Sequence, residues 1–166
     1  KMNLPIFVIG AGSNILVSDE GFPGVVVRVG TCGYTFLPEG GGTLLISCAG
    51  ESWDTVVDAA GDQGFFGMEL LAGIPGHVGG AVAQNIGAYG AEVSSVFAYA
   101  DCVDLSSGEE KRITAQEARF SYRSSIFKEN KNLVILRAAF LLGAGVPCLE
   151  YPDVVRAQEQ GVPLST

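Results

Sequence analysis

Residues 68–90 read MELLAGIPGHVGGAVAQNIGAYG, and this stretch determines how the rest of the chain is interpreted. Between positions 73 and 90 it carries six glycines, at 73, 76, 79, 80, 87 and 90. Gly73-Ile74-Pro75-Gly76 is typical of a tight turn, because proline fixes φ beside residues that tolerate positive φ. The pair Gly79-Gly80 lets backbone come close to another group, and Gly87-Ala88-Tyr89-Gly90 predicts a second turn.

The glycines of this stretch allow two interpretations. Closely spaced glycines expose backbone N–H groups, which can form a concavity that binds an anion such as a pyrophosphate. Alternatively, the stretch is a loop packed between two layers, and its glycines are needed only for sterics. A P-loop must end in Gly-Lys-Ser/Thr, and the dinucleotide fingerprint GxGxxG must open a helix. Neither motif is present in residues 68–90.

The composition predicts a folded, acidic protein. Of the 166 residues, 48% are hydrophobic and 17% are charged, which suits one domain or two small lobes. The net charge of −8 comes from 18 acidic and 10 basic residues and argues against a nucleic-acid partner. No apolar run reaches the ~18–20 residues of a membrane helix, and no signal peptide is visible, so we expect no membrane partner.

The cysteines and the single histidine predict neither a metal site nor a catalytic triad. None of the four cysteines belongs to a C-x-x-C pair, and a reduced cytoplasmic protein is the simpler interpretation. Cys48 and Cys102 fall in apolar strand patterns and are predicted to be buried thiols. His77 has no Ser/Asp or Cys/Asp pattern around it, so we interpret it as a loop position open to many side chains.

Hydrophobic periodicity predicts an α+β fold. Strands are expected over residues 4–9, 15–17, 25–29, 34–37, 43–48, 96–105, 109–113 and 133–142. Helices are expected from residue 51 to Gly61 or Gly64, after a capping box at residues 114–117, and over residues 151–160. Trp53 is expected in the core. A run of hairpins with helices on one side favours a mostly antiparallel sheet over a parallel doubly wound one.

Two further stretches carry candidate ligand-binding groups. Gly10-Ala11-Gly12-Ser13-Asn14 follows the first strand, and Ser13 and Asn14 can reach a phosphate or cap backbone groups. A plain series of β-turns explains the same residues. Arg123 follows Tyr122 and can hold a planar anion through two parallel hydrogen bonds. The alternative is a surface arginine paired with a nearby glutamate.

Four segments resemble the UDP-N-acetylenolpyruvoylglucosamine reductase family, in the right order. Residues 10–24, GAGSNILVSDEGFPG, are similar to the family's G-x-GSN-hydrophobic-LV-x-D-x-GF-x-G, and GESW follows at residues 50–53. Residues 73–90 follow the family's G-hydrophobic-PG-x-VGGA-x-x-QN-x-GAYG. Residues 120–128, FSYRSSIFK, are similar to F-G-YR-x-S-x-F-K, with Ser121 where the family usually has glycine. The last two segments together are specific, and the resemblance covers nearly all of the chain.

The resemblance implies an FAD-binding region of the vanillyl-alcohol-oxidase type, also called PCMH-like. Its two α+β lobes hold FAD non-covalently. The family uses NADPH to reduce a small UDP-sugar enolpyruvyl ether to UDP-N-acetylmuramate for peptidoglycan. By position, residues 1–30 would be the remainder of the first lobe and residues 31–143 the second lobe. Residues 144–166 would begin the connection to a substrate-binding domain. The family's catalytic serine and C-terminal glutamate motifs do not occur in residues 1–166, so a fragment without turnover of its own is expected.

The resemblance also implies site residues by their positions in the motifs. Arg123 would be the catalytic arginine, which stabilises a developing enolate beside the substrate carboxylate. The substrate would also contact Tyr89, Tyr122 and Tyr151. The residues implied in FAD binding are Gly10, Gly12, Ser13, Asn14, Gly73, Ile74, Pro75, Gly79, Gly80, Gln84, Asn85, Gly87, Ala88 and Gly90.

Two other functions fit the same residues. One is a different FAD-dependent oxidoreductase of the superfamily, in which histidine or cysteine attaches the flavin covalently. The other is a flavin- or nucleotide-binding module without catalysis. The sequence leaves the oligomeric state open.

Overall fold

The computed structural model describes residues 4–144 and 155–156, and within them the chain forms two sheets, a short hairpin and packed helices. The smaller sheet pairs β1 (Ile6–Ile9) with β2 (Val25–Arg28) in parallel. Both strands were predicted. The strand predicted at residues 15–17 is wrong: Leu16 and Val17 are exposed and no neighbouring strand pairs with them. β-Branched residues favour a strand only where a partner supplies hydrogen bonds and packing.

The larger sheet is antiparallel and carries most of the chain. The remaining strands are β3 (Tyr34–Glu39), β4 (Gly42–Cys48), β5 (Phe65–Phe66), β6 (Gly87–Ala88), β7 (Ala91–Glu92), β8 (Phe97–Asp104), β9 (Glu110–Thr114) and β10 (Leu133–Ala144). The sheet order is β3-β4-β10-β8-β9, with β5 paired to the end of β10. The hairpins β3-β4 and β8-β9 were both predicted, and the mostly antiparallel α+β fold is confirmed.

One face of this sheet is covered by helices. They are α1 (Trp53–Asp62), α2 (Val78–Ala83) and α3 (Ile126–Glu129). In β4 the alternate residues Thr43, Leu45 and Ser47 are buried, which is the period of a strand with one covered face. Trp53 is fully buried, as predicted. Its ring meets Phe140 edge-on, with the centroids 5.8 Å apart, and its indole N–H donates to the Leu71 carbonyl.

Two helix predictions differ from the structure. The glycine stretch was predicted as turns, yet it contains α2, whose Val78, Ala81 and Val82 are buried. The capping box at Thr114 forms, with the Thr114 backbone N–H 2.9 Å from Glu117 Oε2, but it closes a turn and opens no helix. Arg119, at φ +46°, breaks the right-handed backbone after that turn. Of the predicted helix at residues 151–160, only Val155 and Arg156 are described, and both are helical.

The other face of the sheet carries an ion-pair network. Asp101 on β8 accepts hydrogen bonds from Arg112 Nε at 2.7 Å and Arg137 Nε at 2.6 Å. These hydrogen bonds, the one from Arg112 first, hold the pKa of the Asp101 carboxyl below its usual range. The next residue, Cys102, points into the core, where burial raises the pKa of its thiol to about 12. Cys102 is therefore a buried thiol, as predicted, whereas Cys48 is half-buried.

We predict that Asp101→Asn lowers the free energy of unfolding by about 1 kcal/mol at neutral pH, the upper range for a surface ion pair. Because the folded pKa of Asp101 is lowered, its contribution is complete above the ordinary carboxyl pKa and is lost as pH falls through the folded value. Urea unfolding at several pH values measures this, with Asp58→Asn on exposed α1 surface as the control. The prediction would be contradicted if the difference in unfolding free energy between wild type and Asp101→Asn were as large in strong acid as at neutral pH.

Candidate functional site

A cavity of about 1000 Å³ opens where the first turn faces the glycine stretch. Its wall is made by β1 and residues 10–15, by parts of residues 74–88, by Arg123 and α3, and by the start of β10. This volume is at the upper end of the range for cofactor and small-molecule sites. The cavity therefore joins the segments that carry the motifs.

A backbone ladder fixes the glycine stretch against the end of β4. The Gly79 amide donates to the Ala49 carbonyl at 2.8 Å, and the Val78 amide donates to the Glu51 carbonyl at 3.0 Å. In the opposite direction, the Trp53 amide donates to the Gly76 carbonyl at 3.0 Å. Residues 49–53, which include the GESW motif, thus supply the backbone hydrogen-bond partners of residues 76–79, and α1 starts at the same point.

Gly79 and Gly80 have different surroundings, although the sequence predicted that another group approaches the backbone closely at both. A Cβ at Gly79 would lie 3.0 Å from the Ala49 Cβ, so Gly79 is needed for packing within the protein. A Cβ at Gly80 would meet nothing within 4 Å, and Gly80 lines the cavity. Of these two glycines, Gly80 is the one with open space beside it on the cavity wall.

Ser13 and Asn14 join the first turn to the glycine stretch. The Ser13 hydroxyl donates to the Pro75 carbonyl at 3.1 Å, and Asn14 Nδ2 donates to Gln84 Oε1. Both residues line the cavity, but these polar groups already have partners in the protein. They position the turn at residues 10–14 over the glycine stretch.

Arg123 reaches the cavity from a tight turn. Ser121 and Ser124 exchange two backbone hydrogen bonds of 3.0 Å, and Arg123 between them has φ +54°. Its Nη2 donates to the Gly87 carbonyl at 2.5 Å, and its own carbonyl accepts from Lys128 Nζ at 2.8 Å. Among the described residues no carboxylate forms an ion pair with Arg123, so the glutamate-paired alternative does not apply there.

The Asn85 side chain is used inside the protein. Asn85 is fully buried at φ +43°, and its Nδ2 donates to Glu92 Oε2 at 2.9 Å and to the Ser121 carbonyl at 3.1 Å. Its Oδ1 accepts from the Ser94 amide at 3.0 Å. Cofactor binding through this side chain, which the resemblance implied, is not supported. Asn85 instead ties the glycine stretch to the turn that carries Arg123.

The predicted site residues divide into two groups. Those that line the cavity are Gly10, Gly12, Ser13, Asn14, Ile74, Pro75, Gly79, Gly80, Gln84, Gly87, Ala88 and Arg123. Those away from its wall are Gly73, Asn85, Tyr89, Gly90 and Tyr122.

The residues away from the wall have local roles or face solvent. The Gly73 amide donates to Asp54 Oδ1 at 2.8 Å. Tyr89 and Gly90, at φ +50° and +81°, form the two-residue turn between β6 and β7. Tyr122 is 81% exposed, with its ring beside its own neighbour Arg123. Tyr151 lies outside the described residues.

The sequence interpretation missed the cationic character of the cavity. The positively charged side chains on its wall are Arg123, Lys128 and Lys131, and among the described residues no aspartate or glutamate lines it. This contrasts with the net charge of −8 and favours an anionic ligand. Lys128 closes the last quoted motif, which was the available signal. His77 was set aside for lack of a triad.

The described part of the chain holds neither a metal-binding cluster nor a membrane-spanning helix. Residues 4–144 and 155–156 contain no group of three or more His, Cys, Asp or Glu side chains arranged to hold a metal ion. In the same residues, no helix has the length and apolarity needed to cross a bilayer.

Comparison with known sequences identifies one family and a consistent set of relatives. Residues 1–114 match the family described as FAD binding domain. A UDP-N-acetylenolpyruvoylglucosamine reductase of Saccharopolyspora erythraea is 43% identical over 141 residues, which are 84% of this chain and 38% of that protein. The reductase of Pseudomonas fluorescens is 40% identical over 164 residues, 96% of this chain and 48% of that protein. The chain spans less than half the length of these relatives.

Comparison with solved structures agrees. The UDP-N-acetylenolpyruvylglucosamine reductase of Thermus caldophilus superposes with a TM-score of 0.71 at 27% identity, covering 96% of this chain and 55% of that one. A solvent-stable cholesterol oxidase superposes with a TM-score of 0.62 at 15% identity, covering 84% of this chain and 30% of that one, which shows a shared fold. The resemblance predicted from the four motifs is confirmed.

For the site, we predict that Asn85→Ala lowers the free energy of unfolding by roughly 3 kcal/mol, since buried partners lose their hydrogen bonds and alanine tolerates positive φ poorly. Chemical denaturation of the variant measures the loss. Asn132→Ala, at an exposed asparagine, is the matched control and should change stability little. Equal stability of the two variants would show that the Asn85 network does not hold the site together.

Proposed function

The chain belongs to the FAD binding domain family, and from this premise we propose that its cavity binds FAD as part of an NADPH-dependent UDP-N-acetylenolpyruvoylglucosamine reductase. The observation that carries the proposal is the meeting of the turn at residues 10–14 with the glycine stretch around one cavity. Residues far apart in the chain, and matching the family's motifs, line that single space.

The cavity residues suit an anionic, planar cofactor. Among the described residues no carboxylate lines the wall to repel a diphosphate, and the lining includes apolar residues of β1 and β10 that can cover ring systems. Gly80 leaves the wall free of a side chain. The buried Nδ1 of His77 has no hydrogen-bond partner within residues 4–144, so a ligand atom can satisfy it. Residues 10–14 and 74–88 would hold the cofactor.

The chemistry divides between cofactor and protein. Bound FAD supplies hydride chemistry, and NADPH is the reductant we propose. Arg123 donates one guanidinium N–H to the Gly87 carbonyl, which holds the planar guanidinium in place. Its other N–H groups remain for a substrate carboxylate and for the enolate charge that develops beside it. The positive φ of Arg123 is a strained backbone conformation, of the kind that recurs at ligand-binding and active sites.

The activity belongs to a longer protein in this proposal. Residues 1–30 and 31–143 would be the two FAD-binding lobes, and residues 144–166 the beginning of a connection to a domain that covers the UDP-sugar substrate. Tyr122, exposed here, and Tyr151 would contact that substrate in the complete protein. The reaction would supply a peptidoglycan precursor for cell shape and division in the cytoplasm.

We predict that Gly80→Leu weakens FAD binding at least ~10-fold, because the new side chain enters open cavity space while helix propensity improves. Fluorescence titration with FAD measures the affinity. Gly61→Leu is the matched control: it is also a helical glycine with open space around it, but on exposed α1 surface.

Unchanged FAD affinity in folded Gly80→Leu would contradict the assignment of this cavity. Flavin that remains attached after acid denaturation would instead support the covalent oxidase alternative.

We also predict that Arg123→Leu in the complete reductase slows oxidation of the reduced enzyme by the enolpyruvyl substrate by roughly 100-fold or more. Reduction by NADPH should change much less, and Arg123→Lys should restore little, since lysine lacks the planar fork. Stopped-flow measurement of the two half-reactions tests this. Equal losses in both would show that Arg123 is structural.

A further inference from the structure

His77 stands at the contact between the first turn and the glycine stretch. A Cβ built on Gly10 would lie 3.4 Å from the His77 Cβ and 3.7 Å from its Nδ1, so the imidazole lies directly against Gly10. The backbone of His77 pairs with Ser52, which fixes the point from which the ring projects. Both glycine-rich turns that line the cavity therefore meet at this ring.

The Nδ1 of the His77 imidazole makes no hydrogen bond to the described protein. His77 precedes α2, but its side chain makes no capping hydrogen bond. Its Nδ1 is buried without a hydrogen-bond partner and is the one such side-chain nitrogen or oxygen among the described residues. A buried polar group left unpaired costs on the order of 1–3 kcal/mol, so it needs an explanation.

We propose that His77 Nδ1–H donates a hydrogen bond to a phosphate oxygen of the FAD diphosphate. This assignment rests on the proposed function. A phosphate is favoured over the rings of the cofactor because the turn at residues 10–14, which lies against His77, can offer backbone N–H groups to an anion. The Val78 and Gly79 amides already donate to backbone carbonyls of the protein. The absence of aspartate and glutamate among the described lining residues also favours a phosphate at this position. An N–H donor to a charged phosphate is stronger than one to a neutral acceptor.

Two substitutions separate this contact from packing. His77→Asn keeps an N–H donor close to the position of Nδ1, and His77→Leu fills similar space without a donor. His77→Leu should weaken FAD binding about 10-fold and leave the stability of the ligand-free chain unchanged or higher, because it removes an unpaired polar atom. His77→Asn should bind FAD within about threefold of wild type. Riboflavin, which has no phosphate, should bind all three proteins equally.

The chain contains a single histidine, so its imidazole gives one set of ¹⁵N signals. Addition of millimolar inorganic pyrophosphate, ADP or FAD should shift the Nδ1 resonance, and riboflavin should leave it in place. A shift with riboflavin, or no shift with any phosphate ligand, would overturn the phosphate contact.

The outcomes also separate this inference from the proposed function. If FAD binds and Gly80→Leu weakens it, but His77→Leu binds FAD as tightly as wild type, the cavity assignment stands and the His77 contact is wrong. If the wild-type chain binds no FAD at millimolar concentration, both are wrong. Loss of FAD binding in His77→Leu together with a lower melting temperature of the ligand-free chain would show a packing role and contradict the inference.

Discussion

The close approach of Gly79 to Ala49 is the constraint on which the site depends. The two backbones come near enough for a 2.8 Å hydrogen bond because glycine has no Cβ. This contact registers residues 76–79 against the end of β4 and the start of α1. It also sets where α2 begins, so that His77 and Gly80 lie on the cavity wall. A packing requirement thus produces a ligand-sized space beside it.

A second constraint holds the opposite wall. Asn85 and Arg123 both adopt positive φ, which costs free energy for residues with a Cβ. The buried hydrogen bonds of Asn85 to Glu92 and Ser121 offset this strain and connect the two segments. The guanidinium of Arg123 then bonds back to Gly87. Two of the four described non-glycine residues at positive φ, Asn85 and Arg123, therefore lie in these connected segments.

Hydrophobic periodicity correctly predicted two kinds of element. In one the hydrogen-bond partners are close in sequence, and in the other a single face is buried. The hairpins around residues 38–42 and 106–108 and the buried stripe of α1 are examples. The prediction was wrong at residues 15–17, where no strand lies alongside, and after Thr114, where Arg119 ends a single turn. The motifs located the cavity wall, but they could not separate Gly79 from Gly80 or show that Asn85 is buried. Those distinctions depend on what lies across the cavity in three dimensions.

The central proposal is that the turn at residues 10–14 and the glycine stretch form one FAD site. Its most direct test is an amide NMR titration of the ¹⁵N-labelled chain with FAD. We expect the amide signals of residues 10–14 and 76–80 to shift together with one dissociation constant. The amides of Asp101 and Arg112, on the far face of the sheet, should stay in place. Shifts confined to one of the two segments, or centred on that far face, would contradict it.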